Sequence, residues 1–119
     1  MNAVIDTNIL VDFAQTREGA AREFVLYDRL FISRITWIEF LVGAKDDVEA
    51  QKRRLMLENF EVLEVEPAVA AETLLIRKKA RLKLPDAIIL ATARVHGLLL
   101  VTRNHRDFRR GEPDIRIPY

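Results

Sequence analysis

Leu84-Pro85-Asp86-Ala87-Ile88-Ile89-Leu90-Ala91-Thr92-Ala93-Arg94-Val95-His96-Gly97-Leu98-Leu99-Leu100-Val101-Thr102-Arg103-Asn104 decides the reading of the fold. Proline suits the first turn of a helix, and an acidic residue there meets the positive end of the helix dipole. Leu84-Pro85-Asp86 therefore opens a helix. From Ala87 to Val95 that helix is apolar on nearly every side, the pattern of a buried helix. His96-Gly97 ends it. Leu98 to Val101 is then a continuous apolar run, as in parallel strands covered on both faces. A buried helix feeding a buried strand is one unit of a parallel α/β fold.

The same alternation extends towards both ends. Residues 3–5 form a short apolar strand ending at Asp6, and Asp6-Thr7-Asn8 supplies caps for a helix presenting Ile9, Leu10 and Phe13 on one face. A second helix is predicted over 17–28 with Ala21, Phe24 and Val25 inward, followed by a strand at Leu30-Phe31-Ile32. Thr36 is expected to cap a helix that runs through Val42 and stops at Gly43. Residues 46–59 read as a mostly polar helix with Leu55, Met56 and Leu57 as its apolar part. Val62-Leu63 starts a short strand, Pro67 begins a helix to about 81, and Ile115 to Ile117 adds a last strand. Short strands alternating with helices predict a three-layer α/β/α fold around a mainly parallel sheet.

Composition removes most chemistries. The chain has 119 residues, one domain's worth, with 50% hydrophobic and 31% charged residues. It lacks cysteine, so disulfides, thiolate nucleophiles and cysteine-held zinc are excluded. Two histidines, one serine outside any nucleophile elbow, and four scattered glycines leave no zinc-protease, hydrolase-triad or phosphate-loop motif. No stretch approaches the roughly 18 consecutive apolar residues of a membrane span, and Met1-Asn2-Ala3-Val4-Ile5 leaves no room for a signal peptide. A cytoplasmic protein is expected. The formal net charge of +1 announces no nucleic-acid binder, but its distribution is uneven. Arg77, Lys78, Lys79, Arg81 and Lys83 form one basic run; Arg103, His105, Arg106, Arg109 and Arg110 form another. A run of like charge is ordinarily a solvated face.

Carboxylate is what remains. In open parallel sheets ligands bind outside the carboxyl ends of the strands, which places Asp6 and the Thr102-Arg103-Asn104 turn at one edge. Glu39 lies mid-helix among Ile35, Ile38, Leu41 and Val42, and Asp86 lies at the mouth of the buried helix. Each alone has an ordinary role as a cap, a solvated side chain or a dipole partner. All three at one sheet edge are harder to dismiss.

Four blocks in this order resemble the PIN domain, and within it the ribonuclease toxins of VapBC toxin–antitoxin modules. They are Val4-Ile5-Asp6-Thr7-Asn8-Ile9-Leu10, Ile35-Thr36-Trp37-Ile38-Glu39-Phe40-Leu41-Val42-Gly43, Leu84 to Ala93, and Leu100-Val101-Thr102-Arg103-Asn104 through Asp107-Phe108. The resemblance covers essentially the whole chain and implies a single PIN domain over residues 1–119. It implies that Asp6, Glu39 and Asp86 hold a divalent metal. The fourth catalytic position departs from the pattern, because Asn104 stands where many relatives carry Asp. Its amide oxygen can still coordinate metal or position a water without supplying charge, and Asp107 is the alternative that would compensate. Thr7, Asn8, Thr102 and Asp107 would steady the carboxylates from behind. Oxygen ligands without His or Cys favour Mg²⁺, with Mn²⁺ as substitute.

The implied activity is metal-dependent hydrolysis of RNA leaving a 5′-phosphate, with Arg103, Arg106, Arg109 and Arg110 as cationic partners for RNA phosphates. The implied partners are a VapB-type antitoxin and a second copy of the chain. The antitoxin is expected to seat an apolar anchor on helices 17–28 and 46–59, near Leu26 and Met56, and a basic tip among the carboxylates. Trp37 could stack a base or serve packing. An RNA-processing PIN nuclease without antitoxin and a PIN domain that binds RNA uncut remain alternatives. A phosphoacceptor receiver domain fits poorly, since Glu64 rather than Asp follows Val62-Leu63 and Arg103 rather than Lys follows the late strand.

Overall fold

Strand pairing in the computed structural model, which describes residues 1–109 and 111–119, is parallel throughout. The strands β1 (Asn2–Ile5), β2 (Arg29–Ser33), β3 (Glu61–Leu63), β4 (Leu99–Val101) and β5 (Ile115–Arg116) lie in the order β3-β2-β1-β4-β5. The chain builds outward from β1 on one side, then crosses over to add β4 and β5 on the other. That reversal puts the switch point between β1 and β4, where ligands collect in such sheets. The helices are α1 (Thr7–Ala14), α2 (Glu18–Phe24), α3 (Arg34–Val42), α4 (Asp47–Leu57), α5 (Pro67–Lys79) and α6 (Leu84–Val95).

The two-residue period of the strands sorts side chains into two cores. Ala3 and Ile5 of β1, Ile32 of β2 and Val101 of β4 pack with Ile9, Leu10, Phe40 and Leu57 on the α1–α4 side. Val4, Phe31 and Leu100 face the other way and pack with Val69, Ile76, Ile89 and Leu90 of α5 and α6. The α/β/α expectation holds, with all strands parallel.

Helix ends show where local reading succeeds. At the end of α6 the Leu98 amide donates to the Ala93 carbonyl (2.8 Å) and the Gly97 amide to the Arg94 carbonyl (3.1 Å). With Gly97 at φ +64°, this is a Schellman turn that only glycine adopts cheaply. Gly43 also ends its helix, but for a different reason. Its backbone is right-handed, and a Cβ there would come within 3.0 Å of the Arg53 guanidinium.

Three boundaries differ from expectation. The second helix is shorter, ending at Phe24, and Ala20 and Glu23 point inward in place of Ala21 and Val25, which are exposed. Val25 lies past the last turn, so the helical period no longer governs it. Ser33, not Thr36, caps α3, its hydroxyl accepting from the Ile35 amide at 3.1 Å, and Thr36 is fully buried two residues inside. The 46–59 helix narrows to Asp47–Leu57, capped by the Asp46 carboxylate on the Glu49 amide. Among the described residues no helix is long and apolar enough to cross a membrane.

Candidate active site

Register brings the first pair together. Ile5 of β1 lies opposite Val101 of β4, so Asp6 and Thr102 leave the sheet side by side, with the Asp6 amide donating to the Val101 carbonyl at 2.9 Å. Asp6 is also the cap of α1, its Oδ1 accepting from the Thr7 amide at 2.7 Å. Its Oδ2 accepts from the Thr102 hydroxyl at 2.7 Å and from the Asn8 amide nitrogen at 3.4 Å. The residue is 3% exposed.

Glu39 arrives from α3. The Thr7 hydroxyl donates to Glu39 Oε1 at 2.6 Å, with the Thr36 hydroxyl 3.1 Å from that of Thr7. Asp86, half-buried, comes from the first turn of α6. Asn104 and Asp107 are tied to each other, the Asn104 amide nitrogen donating to Asp107 Oδ2 at 2.9 Å. In return the Asp107 backbone amide donates to Asn104 Oδ1 at 3.4 Å. Thr102 holds this turn too, accepting from the Asn104 backbone amide at 3.0 Å.

The electrostatics follow from burial and like charge. Burial pushes the Asp6 carboxyl up to about 6 against the hydrogen bonds from Thr102 and Thr7, and the charges of Asp86 and Glu39 add to the rise. Asp86 is raised as well, by burial first, then by Asp107 and Glu39, with Lys83 pulling the other way. Among the described residues, none of Asp6, Glu39, Asp86 or Asp107 makes an ion pair. Nor do any three of their kind converge tightly enough to hold an ion unaided.

The raised Asp6 carboxyl has a stability consequence. Folded Asp6 keeps its proton at pH values where the unfolded chain, near 3.8, has lost it. That contribution is complete below the unfolded value and vanishes as pH rises through about 6. A shift of about two units amounts to roughly 3 kcal/mol. In chelator buffer Asp6→Asn should match the wild type near pH 4 and exceed it by roughly 1–3 kcal/mol at neutral pH, read from urea titrations. A gap independent of pH would reflect loss of the helix cap instead.

The basic residues divide. Arg106 and Arg109 are exposed, whereas Arg110 lies outside the described residues. Arg103 is half-buried and already engaged, rather than free as an RNA contact would be. Its guanidinium makes a paired bond to Asp12, Nε to Oδ2 at 2.8 Å and a terminal nitrogen to Oδ1 at 3.1 Å. Asp12 also accepts from the Tyr119 hydroxyl at 2.7 Å and lies 3.5 Å from Arg17. Burial alone would raise Asp12, but those hydrogen bonds and the Arg103 and Arg17 charges outweigh it and hold it low. The Arg103 backbone amide meanwhile donates to Asn8 Oδ1 at 3.1 Å. Sequence reading missed Asp12, although an aspartate between Leu10 and Phe13 on an apolar helix face was a signal. Trp37 packs against the α1–α4 core, with the Arg34 guanidinium 4.9 Å from its ring centre.

Known proteins share this fold. Residues 3–112 match the PIN domain family. The chain is 32% identical over 118 residues to the tRNA(fMet)-specific endonuclease VapC of Shigella flexneri, covering 90% of this chain and 89% of that one. A toxin–antitoxin complex from Klebsiella pneumoniae contains a chain of the same fold, TM-score 0.91 and 42% identical over 98% of both chains. A chain of the DNA-bound VapBC of Salmonella typhimurium also shares the fold, with TM-score 0.77 and 29% identity, covering 98% of this chain and 96% of that one. The family match over residues 3–112, together with 32% identity to the Shigella flexneri relative along nearly the whole chain, places this protein in the PIN-domain family, among the VapC-type endonucleases.

Proposed function

We propose that this chain is the ribonuclease toxin of a toxin–antitoxin pair, working in the cytoplasm on a site made of Asp6, Glu39 and Asp86. The observation that carries the site is Asp6, a carboxylate raised first by its burial and further by the charges of Asp86 and Glu39, and countered by no ion pair among the described residues. Such a cluster is tolerable only protonated or neutralised by a cation. Nucleases of this family are metal-dependent. The donor set, all oxygen and too open to enclose an ion by itself, fits Mg²⁺, which keeps much of its water and takes one or two carboxylates plus substrate phosphate. Mn²⁺ would substitute. A divalent ion there supplies a Lewis acid for a phosphoryl oxygen and lowers the pKa of the attacking water. The chain's own part is positional: Thr102 and Thr7 orient Asp6, and Thr7 holds Glu39.

The fourth role goes to Asp107. Asn104 has both ends of its amide engaged by Asp107, and it is the Asp107 charge that Asp86 feels most among its neighbours. Asn104 would act by holding that turn.

The antitoxin partner is expected to anchor on exposed apolar side chains, Leu26 after α2 and Leu55 of α4. Met56, also expected there, is half-buried and packed against the core, so it contributes less. Its basic tip would lie among the same carboxylates as the metal, in a chain that works as a homodimer.

Cleavage assays test this reading. With tRNA(fMet), for which the Shigella flexneri relative is named, cleavage should need added Mg²⁺ or Mn²⁺ and stop on chelation. Asp107→Asn should lower the rate roughly 10- to 100-fold, and Asn104→Ala by less. The reverse order would return the fourth role to Asn104.

A further inference from the structure

The near-neutral charge of the chain conceals a division between paired and unpaired cations. Among the described residues eight arginines are ion-paired, and none of them belongs to the run from Arg77 to Lys83. That run places five cations in seven residues, all exposed, and none makes an ion pair among the described residues.

Helix electrostatics explain only part of this. Arg77, Lys78 and Lys79 occupy the last turn of α5, where cations suit the negative end of the dipole. Arg81 and Lys83 lie beyond the helix, in the connection to α6, and the dipole gives them no reason to be there. The backbone does fix their direction. Ala80 and Lys83 are extended, and Leu82 between the two cations is buried, so Arg81 and Lys83 both turn outward. Arg77, Arg81 and Lys83 line a shallow depression of about 360 Å³ floored by Ala80 and Leu82.

Location gives the depression its meaning. Lys83 immediately precedes α6, whose first turn carries Asp86, so the basic ridge runs directly into the acidic edge. A nuclease built from carboxylates repels the phosphate backbone it must approach, and the approach needs cations beside the carboxylates. Of the other run, Arg103 is held by Asp12.

We infer that the ridge formed by Arg77, Arg81 and Lys83 is the surface along which the RNA backbone is drawn to the carboxylate edge. This rests on the ribonuclease reading above and adds where the substrate lies. The contacts are to phosphates, so they confer affinity and register rather than base choice. RNA is favoured over an acidic segment of a protein partner because the ridge ends where a scissile phosphate must sit.

Binding of a labelled single-stranded RNA in chelator buffer, followed by anisotropy across a salt series, tests the inference without cleavage. The triple variant Arg77→Gln, Arg81→Gln, Lys83→Gln should bind on the order of 10-fold or more weakly at low salt. Its slope of log K against log salt should flatten by about 2, since each single-strand phosphate contact contributes roughly 0.7. The exchange of Arg77 and Arg81 for lysine should retain most of both. In metal-loaded assays the triple variant should raise KM with kcat little changed. A triple variant with wild-type affinity and slope overturns the inference while leaving the nuclease reading intact, as does one that loses only antitoxin binding. A wild type that neither binds nor cuts RNA overturns both.

Discussion

Asp6→Asn and Asp86→Asn should each lower RNA cleavage by on the order of 10³-fold or more, while leaving a folded protein. Groups that merely support a ligand are worth roughly 10- to 100-fold, and these carboxylates would be ligands themselves. Neither substitution should cost the fold. Asn at position 6 keeps an oxygen for the Thr7 amide, and the Thr102 hydroxyl can accept where it formerly donated. Single-turnover cleavage at saturating Mg²⁺, beside the melting temperature in chelator, separates the two consequences. Activity above about a tenth of wild type in either variant would move the chemistry away from this edge.

The second large effect concerns stability. Asp12→Ala should destabilise the protein by about 3 kcal/mol, lowering Tm by roughly 10 °C or more. The Asp12 side chain is 6% exposed and serves three partners at once: Arg103, Tyr119 and Arg17. Removing it leaves Arg103 partly buried without its counter-ion, the costly way to break such a pair. Arg103 is 39% exposed, so water recovers part of the loss and the lower end of the range applies. The exposed Arg22–Glu18 pair provides the contrast, and Arg22→Ala should cost at most a few tenths of a kcal/mol. If Asp12→Ala melted no lower than Arg22→Ala, the cluster would be ornamental.

The damage should not stay at Asp12. Arg103 follows Thr102, which donates to Asp6, and the Arg103 amide is held by Asn8, which also reaches Asp6. Tyr119 and the carboxylate edge are thus joined through one aspartate. Gly19 fits this arrangement, since a Cβ there would come within 3.0 Å of the Tyr119 ring.

Much of this architecture was legible in residue order alone. The apolar runs at residues 3–5 and 98–101 are strands because each is covered on both faces, and hydrophobic periodicity reports that directly. Pro85, Asp86 and Gly97 mark the ends of α6 because capping depends on side chains within one turn. The candidate carboxylates were legible for a related reason: a strand end and a helix start are where a parallel sheet exposes its ligand edge. What sequence could not determine was which charges are paired. Asp12 and Arg103 are 91 residues apart and Glu23 and Arg116 are 93 apart, so no local pattern couples them. From charge alone both basic runs read as wet faces, and only the implied nuclease activity made the run at 103–110 an RNA contact. The fold takes Arg103 out of that run, by laying α1 against the turn after β4, and leaves the cations of the run at 77–83 without ion pairs among the described residues, with Lys83 next to Asp86. Backbone propensity and capping act over a few residues and are written in their order, whereas ion pairing depends on distances that exist only after the sheet has closed.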